Sequence, residues 1–404
     1  MGATTIGQVI TIAASPALTR LYEPRDFGVM ALFASVSAIL VAFSTGQYHS
    51  AIVLPEDDFE GYAVLAGSVL LTALSASIAL VGAVVAGAFV EVPLGLAAAI
   101  AIYVLSLGVS ESLHHWLMRT TQFRLLARVR LLIVALSTGL TLSLGVYKTA
   151  NGLIIGAVVG QLIPTVYLAL EVLRRLPENR RVVASEHITR ALRRYRDFPR
   201  YSLPGELLNS AAYQMPTLLI TRWFDTATTG LYSLTQRVLS MPMALVSRAV
   251  LDVFKQRASA DYARDGQASV VFRKTFISLT AIGVPGFLLL ALIAPPLFAW
   301  VFGPEWREAG EFARILSPMF ALRFVASPLS YMLLIADRQR LNLVLQALLL
   351  VATAVSLSAG LLLGSVRFGL AAFAASYSVI YIVYLVYSWR LAQGNQQAPV
   401  GATA

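Results

Sequence analysis

The sequence contains no cysteine, which excludes disulfides, thiolate metal sites and cysteine nucleophiles. Charge is scarce as well: 13% of residues are Asp, Glu, Lys or Arg, where an average soluble domain carries about a quarter. The four histidines, His49, His114, His115 and His187, have no zinc-ligand spacing. No acid, histidine or serine pattern marks a catalytic centre, and neither a metal nor an organic cofactor is expected. Apolar sequence is abundant: 57% of the 404 residues are hydrophobic and the mean hydropathy is +0.72. Runs of the roughly 20 apolar residues needed to cross a bilayer follow one another along the chain. Long apolar runs without short alternating strands specify transmembrane helices, because hydrocarbon demands closed backbone hydrogen bonding.

Twelve spans are expected, near 3–18, 27–46, 61–88, 94–117, 127–147 and 152–173, then 202–221, 229–254, 273–296, 309–335, 341–363 and 369–390. The first is short, about sixteen residues, and either begins upstream or tilts little. It lacks a basic n-region and is not read as a cleavable signal. This divides the chain into a six-helix bundle at 1–173, a basic linker at 174–200, a second six-helix bundle at 201–391 and a disordered tail at 392–404. Lys and Arg set the orientation. With both termini in the cytoplasm, twenty-one basic residues fall in cytoplasmic segments and six on the opposite side. Nine of the twenty-one are arginines between Arg174 and Arg200. There "EHITRALRRYRDF" places Ile188, Leu192 and Tyr195 on one helical face with arginines opposite. This fits an interfacial helix on anionic headgroups or a solvated basic linker.

One stretch is written twice. "TRLYEPRDFGVMAL" (19–32) and "TRWFDTATTGLYSL" (221–234) share Thr-Arg, an aromatic (Tyr22, Phe224), an acid (Glu23, Asp225), a glycine (Gly28, Gly230) and a final leucine at an offset of 202. "LHHWLMRTTQFRL" (113–125) matches "LSYMLLIADRQRL" (329–341) at an offset of 216, so about fourteen residues are inserted in the second half. An even number of spans separates the members of the first pair. The halves are therefore parallel repeats, an arrangement that places a transporter's substrate site between them.

Polar residues at membrane depth supply the site candidates. Thr4, Gln8, Thr11, Ser15 and Thr19 share one helical face, and the offset of 202 carries them to Glu206, Ser210, Tyr213, Thr217 and Thr221, all polar. Two stripes at matching positions are read as facing a shared wet cavity. Arg237 and Arg248, three turns apart in the eighth span, lie nearly on one face, with Asp252 able to pair with Arg248. Arg323 lies well inside the tenth span. An arginine at the centre of a membrane helix costs about 2.5–3.5 kcal/mol on insertion scales, so these side chains must face water or partners. A guanidinium cluster suits a phosphate, which its planar fork binds bidentately. Arg314, nearer a helix end, is read as structural. Glu206, beside Asn209, is either a cation-coupling acid or an acid stabilised at a helix start. Glu111, His114 and His115 are too few for a metal and read as an interhelical contact. "PEDDFE" (55–60) reads as helix-start chemistry.

"SPALTRLYEPRDFGVMALFAS", "AIVLPEDD" and "RFVASPLSYMLLIADRQRL" resemble the Wzx-type polysaccharide-biosynthesis (O-antigen oligosaccharide) flippases of the MOP exporter superfamily, over essentially the full chain. The resemblance implies two six-helix bundles forming a V around a central cavity in the bacterial plasma membrane. It also implies translocation of an undecaprenyl-pyrophosphate-linked oligosaccharide by alternating access, coupled to H+ or Na+. Substrate contacts would then fall to Arg237, Arg248, Arg323, Gln8, Thr11 and Tyr213, and cation coupling to Glu206 and Asn209. Expected partners are the lipid-linked oligosaccharide, membrane lipids, and a polysaccharide polymerase with its chain-length regulator; nucleic acid is not expected. The competing readings are a MATE-like multidrug exporter, a membrane glycosyltransferase or polymerase, and a scaffold. The first calls for an acidic cavity, the second for a large outer loop, and the third leaves the intramembrane arginines unexplained.

Overall fold

A computed structural model describes residues 2–86, 93–175, 184–243, 246 and 248–394; the tail expected to be disordered lies largely outside them. Among these residues there is no strand. Two compact units divide within a helix, Met1–Leu218 and Leu219–Ala404.

The first unit contains α1 (Gly2–Leu21), α2 (Pro24–Ser44), the short α3 (Tyr48–Ala51), α4 (Asp58–Ala86), α5 (Leu94–Arg119), α6 (Phe123–Val146), α7 (Gly152–Arg175), α8 (Ser185–Arg194) and the larger part of α9 (Leu203–Trp223). The second continues with α10 (Thr226–Pro242), α11 (Arg248–Asp265), α12 (Ser269–Phe302), α13 (Arg307–Leu329), the short α14 (Met332–Ile335), α15 (Gln339–Leu362) and α16 (Val366–Ala392). Nine helical segments among the described residues are long and apolar enough to cross a membrane. Their outward faces carry rows such as Leu70, Leu74, Ile78, Val81 and Val85 along α4, all exposed. Only lipid makes such rows favourable on this scale. Of the twelve expected spans, the first, seventh and eighth correspond to α1, α9 and α10, which fall outside the nine. These are the helices that bear both polar stripes and Arg237.

The duplicated motif is a helix-start device in each unit. Glu23 caps α2 in a reciprocal capping box with Asp26, and Asp225 caps α10 by accepting from the Thr228 backbone N–H at 2.7 Å. The second offset is equally regular. α6 and α15 have ends that differ by the same 216 positions. The turn before each has one left-handed non-glycine residue, Thr121 (φ 55°) and Asp337 (φ 53°). It is closed by the same pair of bonds, Gln122 N to Leu117 O at 2.8 Å and Arg338 N to Leu333 O at 2.7 Å being the outer ones. The insertion falls largely between α10 and α12, where eighteen-residue α11 stands in place of four-residue α3.

Packing within the first unit depends on small residues. Gly152, Gly156 and Gly160 recur every fourth residue on α7, a small-residue seam of the kind that lets membrane helices approach closely. A Cβ on Gly160 would run into the Ser137 backbone of α6, and one on Gly156 into Thr141. The "PEDDFE" segment does start α4, with Asp57 accepting from the Glu60 N–H, but it also anchors other elements. Arg119, at the end of α5, donates to the carbonyls of Ile52 and Pro55 and pairs with Asp58 at 3.0 Å. Arg194 pairs with Glu60 at 2.9 Å. The amphipathic helix expected in the connector is α8. Its Ala191, Leu192 and Tyr195 pack against the buried core around Tyr48 and Tyr62, and Leu192 sits against Gly67. Its apolar face is therefore satisfied by protein rather than by headgroups, while Arg190, Arg193 and Arg194 face outward.

Candidate substrate-binding site

The two polar stripes are alike at the positions described in both. In α1, Ser15 and Thr19 are buried, and each hydroxyl donates to a carbonyl of its own helix. Gln8 is half-buried, and Thr11 is exposed while donating to Gly7 O at 3.0 Å. In α9, Thr217 is buried and Thr221 meets Thr229 at 3.0 Å, whereas Ser210 is half-buried and Tyr213 exposed. Each stripe thus packs at its C-terminal end and opens toward its N-terminal end. The Thr4 side chain lies outside the described residues. Ser35 of α2 also donates to Gln214 at 3.0 Å, tying the residue after Tyr213 to α2.

Glu206 and Asn209 are both exposed. Glu206 lies in the first turn of α9, but that turn is not a free helix start. A π-helical turn, Phe198–Ser202, runs directly into α9. Stabilisation by uncapped N–H groups therefore accounts poorly for an acid at this position.

Arg237 is exposed on α10, on the side away from buried Leu231, Leu234, Thr235 and Leu239. Thr235 anchors the buried side by donating to Ala309 O of α13 at 2.8 Å. Arg323 is half-buried on α13, with its guanidinium 5.7 Å from the Phe320 ring centre. Tyr377 and Tyr381 of α16 lie within its electrostatic reach. Neither arginine has an ion pair or side-chain hydrogen bond among the described residues, whereas Arg314 pairs with Glu311 at 3.2 Å as a structural residue should.

α10 ends at Pro242 and α11 begins at Arg248; between them Met243 and Val246 are helical, and the other residues lie outside the described ones. The Arg248 side chain, with its shared face and its pairing to Asp252, also lies outside them. One expectation changes here: Arg237 and Arg323 do not form one cluster. Fourteen residues, about 21 Å of helix at ~1.5 Å per residue, separate Arg323 from Ala309, the residue that meets Thr235 beside Arg237. Gly283, near the middle of the 34-residue α12, packs on Phe324, so Arg323 is at mid-height and Arg237 well toward the Pro304 end. The arginines are stacked along the second unit.

Two features of these surroundings are not obvious from the sequence. Phe373, Tyr377, Tyr381 and Tyr384 form a ladder along α16 with successive ring separations of 4.3, 5.9 and 6.4 Å, and Tyr377 bonds Thr353 at 2.7 Å. Their three- and four-residue spacing is the signal that could have revealed it. The second is an imidazole pair. His49 stacks edge-on with His115 at 4.9 Å and bonds Thr45 at 2.7 Å, whereas Glu111 contributes only its carbonyl, to His115. Among the described residues no group of acids and histidines could hold a metal ion.

Burial, reinforced by His115, lowers the His49 pKa from 6.5 to about 4. The folded protein therefore resists a proton that the unfolded chain accepts below pH 6.5. This group's effect is absent above that pH, and stability is lost as pH falls from 6.5 toward 4. The melting temperature in detergent should fall over that interval, and His49→Gln should flatten the fall; an unchanged slope would assign it to other groups.

The profile of a family described as "Polysaccharide biosynthesis protein" matches residues 17–311. The chain belongs to that family. The match includes the duplicated loops, Glu206 and Arg237, and ends before Arg323. Among family-related proteins, the teichuronic acid biosynthesis protein TuaB of Bacillus subtilis (strain 168) is 24% identical over 208 residues, which are 50% of this chain and 41% of TuaB. The fold is that of the MOP superfamily. A lipid II flippase, MurJ, in an inward closed conformation aligns with a TM-score of 0.72 at 10% identity, over 96% of this chain and 86% of that one. An inward-facing multidrug-resistance MATE transporter of the MOP superfamily aligns at 0.66 and 15% identity, over 95% and 94%. The resemblance read from the loops and the acidic turn stands, and this family member is an integral membrane protein with the fold of those transporters.

Proposed function

We propose that the protein translocates an undecaprenyl-pyrophosphate-linked oligosaccharide across the bacterial plasma membrane by alternating access, drawing on an H+ or Na+ gradient. The observation that carries this reading is Arg323: a mid-height guanidinium without an acidic partner among the described residues, beside a ladder of tyrosines. A fixed cation in a low-dielectric setting needs an anion or water. A lipid diphosphate offers oxygens for the bidentate fork, and the tyrosines offer ring faces and hydroxyls to a sugar. Arg237, Arg248, Gln8, Thr11 and Tyr213 are assigned contacts with the passing headgroup. Because Arg237 and Arg323 stand at different heights, the diphosphate would be handed from one level to the next. Glu206 with Asn209 is assigned the coupling cation, and a polymerase with its chain-length regulator would take the delivered unit.

The test is complementation of a flippase-null strain that makes a defined glycan, read as surface polymer. Polymer should return with the wild type. Glu206→Gln should remove the dependence of export on the ion gradient while leaving protein abundance unchanged; export that still tracks the gradient would return Glu206 to a structural role.

A further inference from the structure

The 216-residue repeat has produced two matching basic cavities that the transport reading does not use. The first, about 500 Å³, is lined by Thr121, Gln122, Phe123, Arg124, Arg128 and Arg175 among others, where α5 turns into α6 beside the end of α7. The second, about 670 Å³, is lined by Asp337, Arg338, Gln339, Arg340, Leu341 and Tyr387 among others, where α14 turns into α15 beside the end of α16. Thr121 and Asp337, Arg124 and Arg340, and Leu125 and Leu341 are repeat equivalents, and both corners keep the left-handed residue described above. A cavity of this kind, recurring at equivalent corners of the two units, is unlike an accident of side-chain placement.

The chemistry of both walls is that of a phosphate site. Arg124 and Arg128, one turn apart on α6, and Arg338 and Arg340 are exposed. None of the four side chains has a hydrogen bond or ion pair among the described residues. Arg175 is held in place by Glu171 and by Gln122, the latter at 2.8 Å. α6 and α15 both begin without a side-chain cap, so their first N–H groups add to the positive wall. Two carboxylates temper this: Glu171, bound to Arg175, and Asp337 in the wall of the second cavity.

Beside each basic wall is exposed apolar surface. Phe123 is 59% exposed in the wall of the first cavity and Tyr387 41% exposed in that of the second, and Leu343 and Val344, one turn on from Gln339 and Arg340 along α15, are 67% and 54% exposed. A free phosphate would use the arginines and leave this surface bare. A phospholipid uses both, its phosphate on the guanidinium groups and its acyl chains along the helices. Basic pockets between membrane helices on the cytoplasmic side are suited to anionic headgroups, and both corners are on that side in the topology read from the basic residues.

We propose that each half of the protein holds one anionic phospholipid at these corners, with Arg124, Arg128 and Arg175 binding the first headgroup and Arg338 and Arg340 the second. The first site has more basic groups, and its acid is already paired, so it binds more tightly.

Native mass spectrometry of the purified full-length protein with phosphatidylglycerol, phosphatidylethanolamine or inorganic phosphate tests this. Two phosphatidylglycerol molecules should be retained per chain. The double variant Arg124→Gln/Arg128→Gln should weaken one of them by roughly thirtyfold, as about two basic contacts are worth, and Arg338→Gln/Arg340→Gln should weaken the other. The corresponding lysine pairs should keep most of the binding, which separates lost charge from lost fold. In the unaltered protein, raising salt from tens to hundreds of millimolar should release both lipids. Unchanged retention in both glutamine variants, equal retention of phosphatidylethanolamine, or salt-insensitive binding would overturn the proposal. Displacement of phosphatidylglycerol by millimolar inorganic phosphate would show a site for a free anion and overturn the assignment to lipid.

Discussion

Arg323→Ala is expected to leave the protein folded in the membrane and to abolish the appearance of polymer at the cell surface. The side chain makes no ion pair among the described residues, and its guanidinium rests near the Phe320 ring, so its loss costs little stability. Its function, on the present account, is to meet a diphosphate at mid-height in the membrane. Hydrogen bonds to charged groups are worth about 1.5–3 kcal/mol each. Loss of a two-pronged contact should therefore slow translocation by a hundredfold or more. Arg323→Lys keeps the charge but not the fork and should fall between. Arg314→Ala is the matched control: it is on the same helix, exposed and paired with Glu311, and export should be nearly normal. Full export by Arg323→Ala would remove this side chain from the transport path.

Gly160→Leu should have the largest effect on the fold itself. The Cβ alone would enter the space of Ser137's backbone, and backbone cannot swing aside as a side chain can. The α6–α7 contact, tightened by three glycines at four-residue intervals, would have to open along its length. Overpacking a core commonly costs 1–3 kcal/mol, and sometimes more; with no flexible neighbour to yield, the upper end applies. Little folded protein should reach the membrane, as measured by size-exclusion profile and abundance. Gly139→Leu, on the same α6 but with open space at its Cβ position, should be tolerated. If both variants accumulate equally, close approach at Gly160 is not what holds these helices together.

Features written as local pattern could be read from the sequence. The duplicated loop, its offset and the acid at its fifth position became two capped helix starts, because an N-cap is a short-range device of a few residues. α8 was visible from the spacing of Ile188, Leu192 and Tyr195, although the pattern could not say that α4 rather than lipid would cover them. The glycine seam on α7 was equally legible as G-x-x-x-G but gained its meaning only when Ser137 was found opposite. The His49–His115 contact and the hold of Arg119 on residues 52–58 join segments some sixty residues apart, which periodicity cannot reveal. Arg237 and Arg323 were read as a cluster because distance along neighbouring helices depends on how they are aligned, which is fixed by contacts such as Thr235 with Ala309.

The central claim is that this chain carries a lipid diphosphate sugar from one leaflet to the other. Its most direct measurement is made with the purified protein in sealed proteoliposomes bearing undecaprenyl-pyrophosphate-linked oligosaccharide on the inner leaflet alone. Arrival of the glycan at the outer leaflet is read by an added, membrane-impermeant glycan-modifying enzyme. The account predicts transfer with wild-type protein and none above the protein-free background with Arg323→Ala. Wild-type vesicles whose glycan stays inaccessible, under an imposed proton or sodium gradient of either direction, would contradict it.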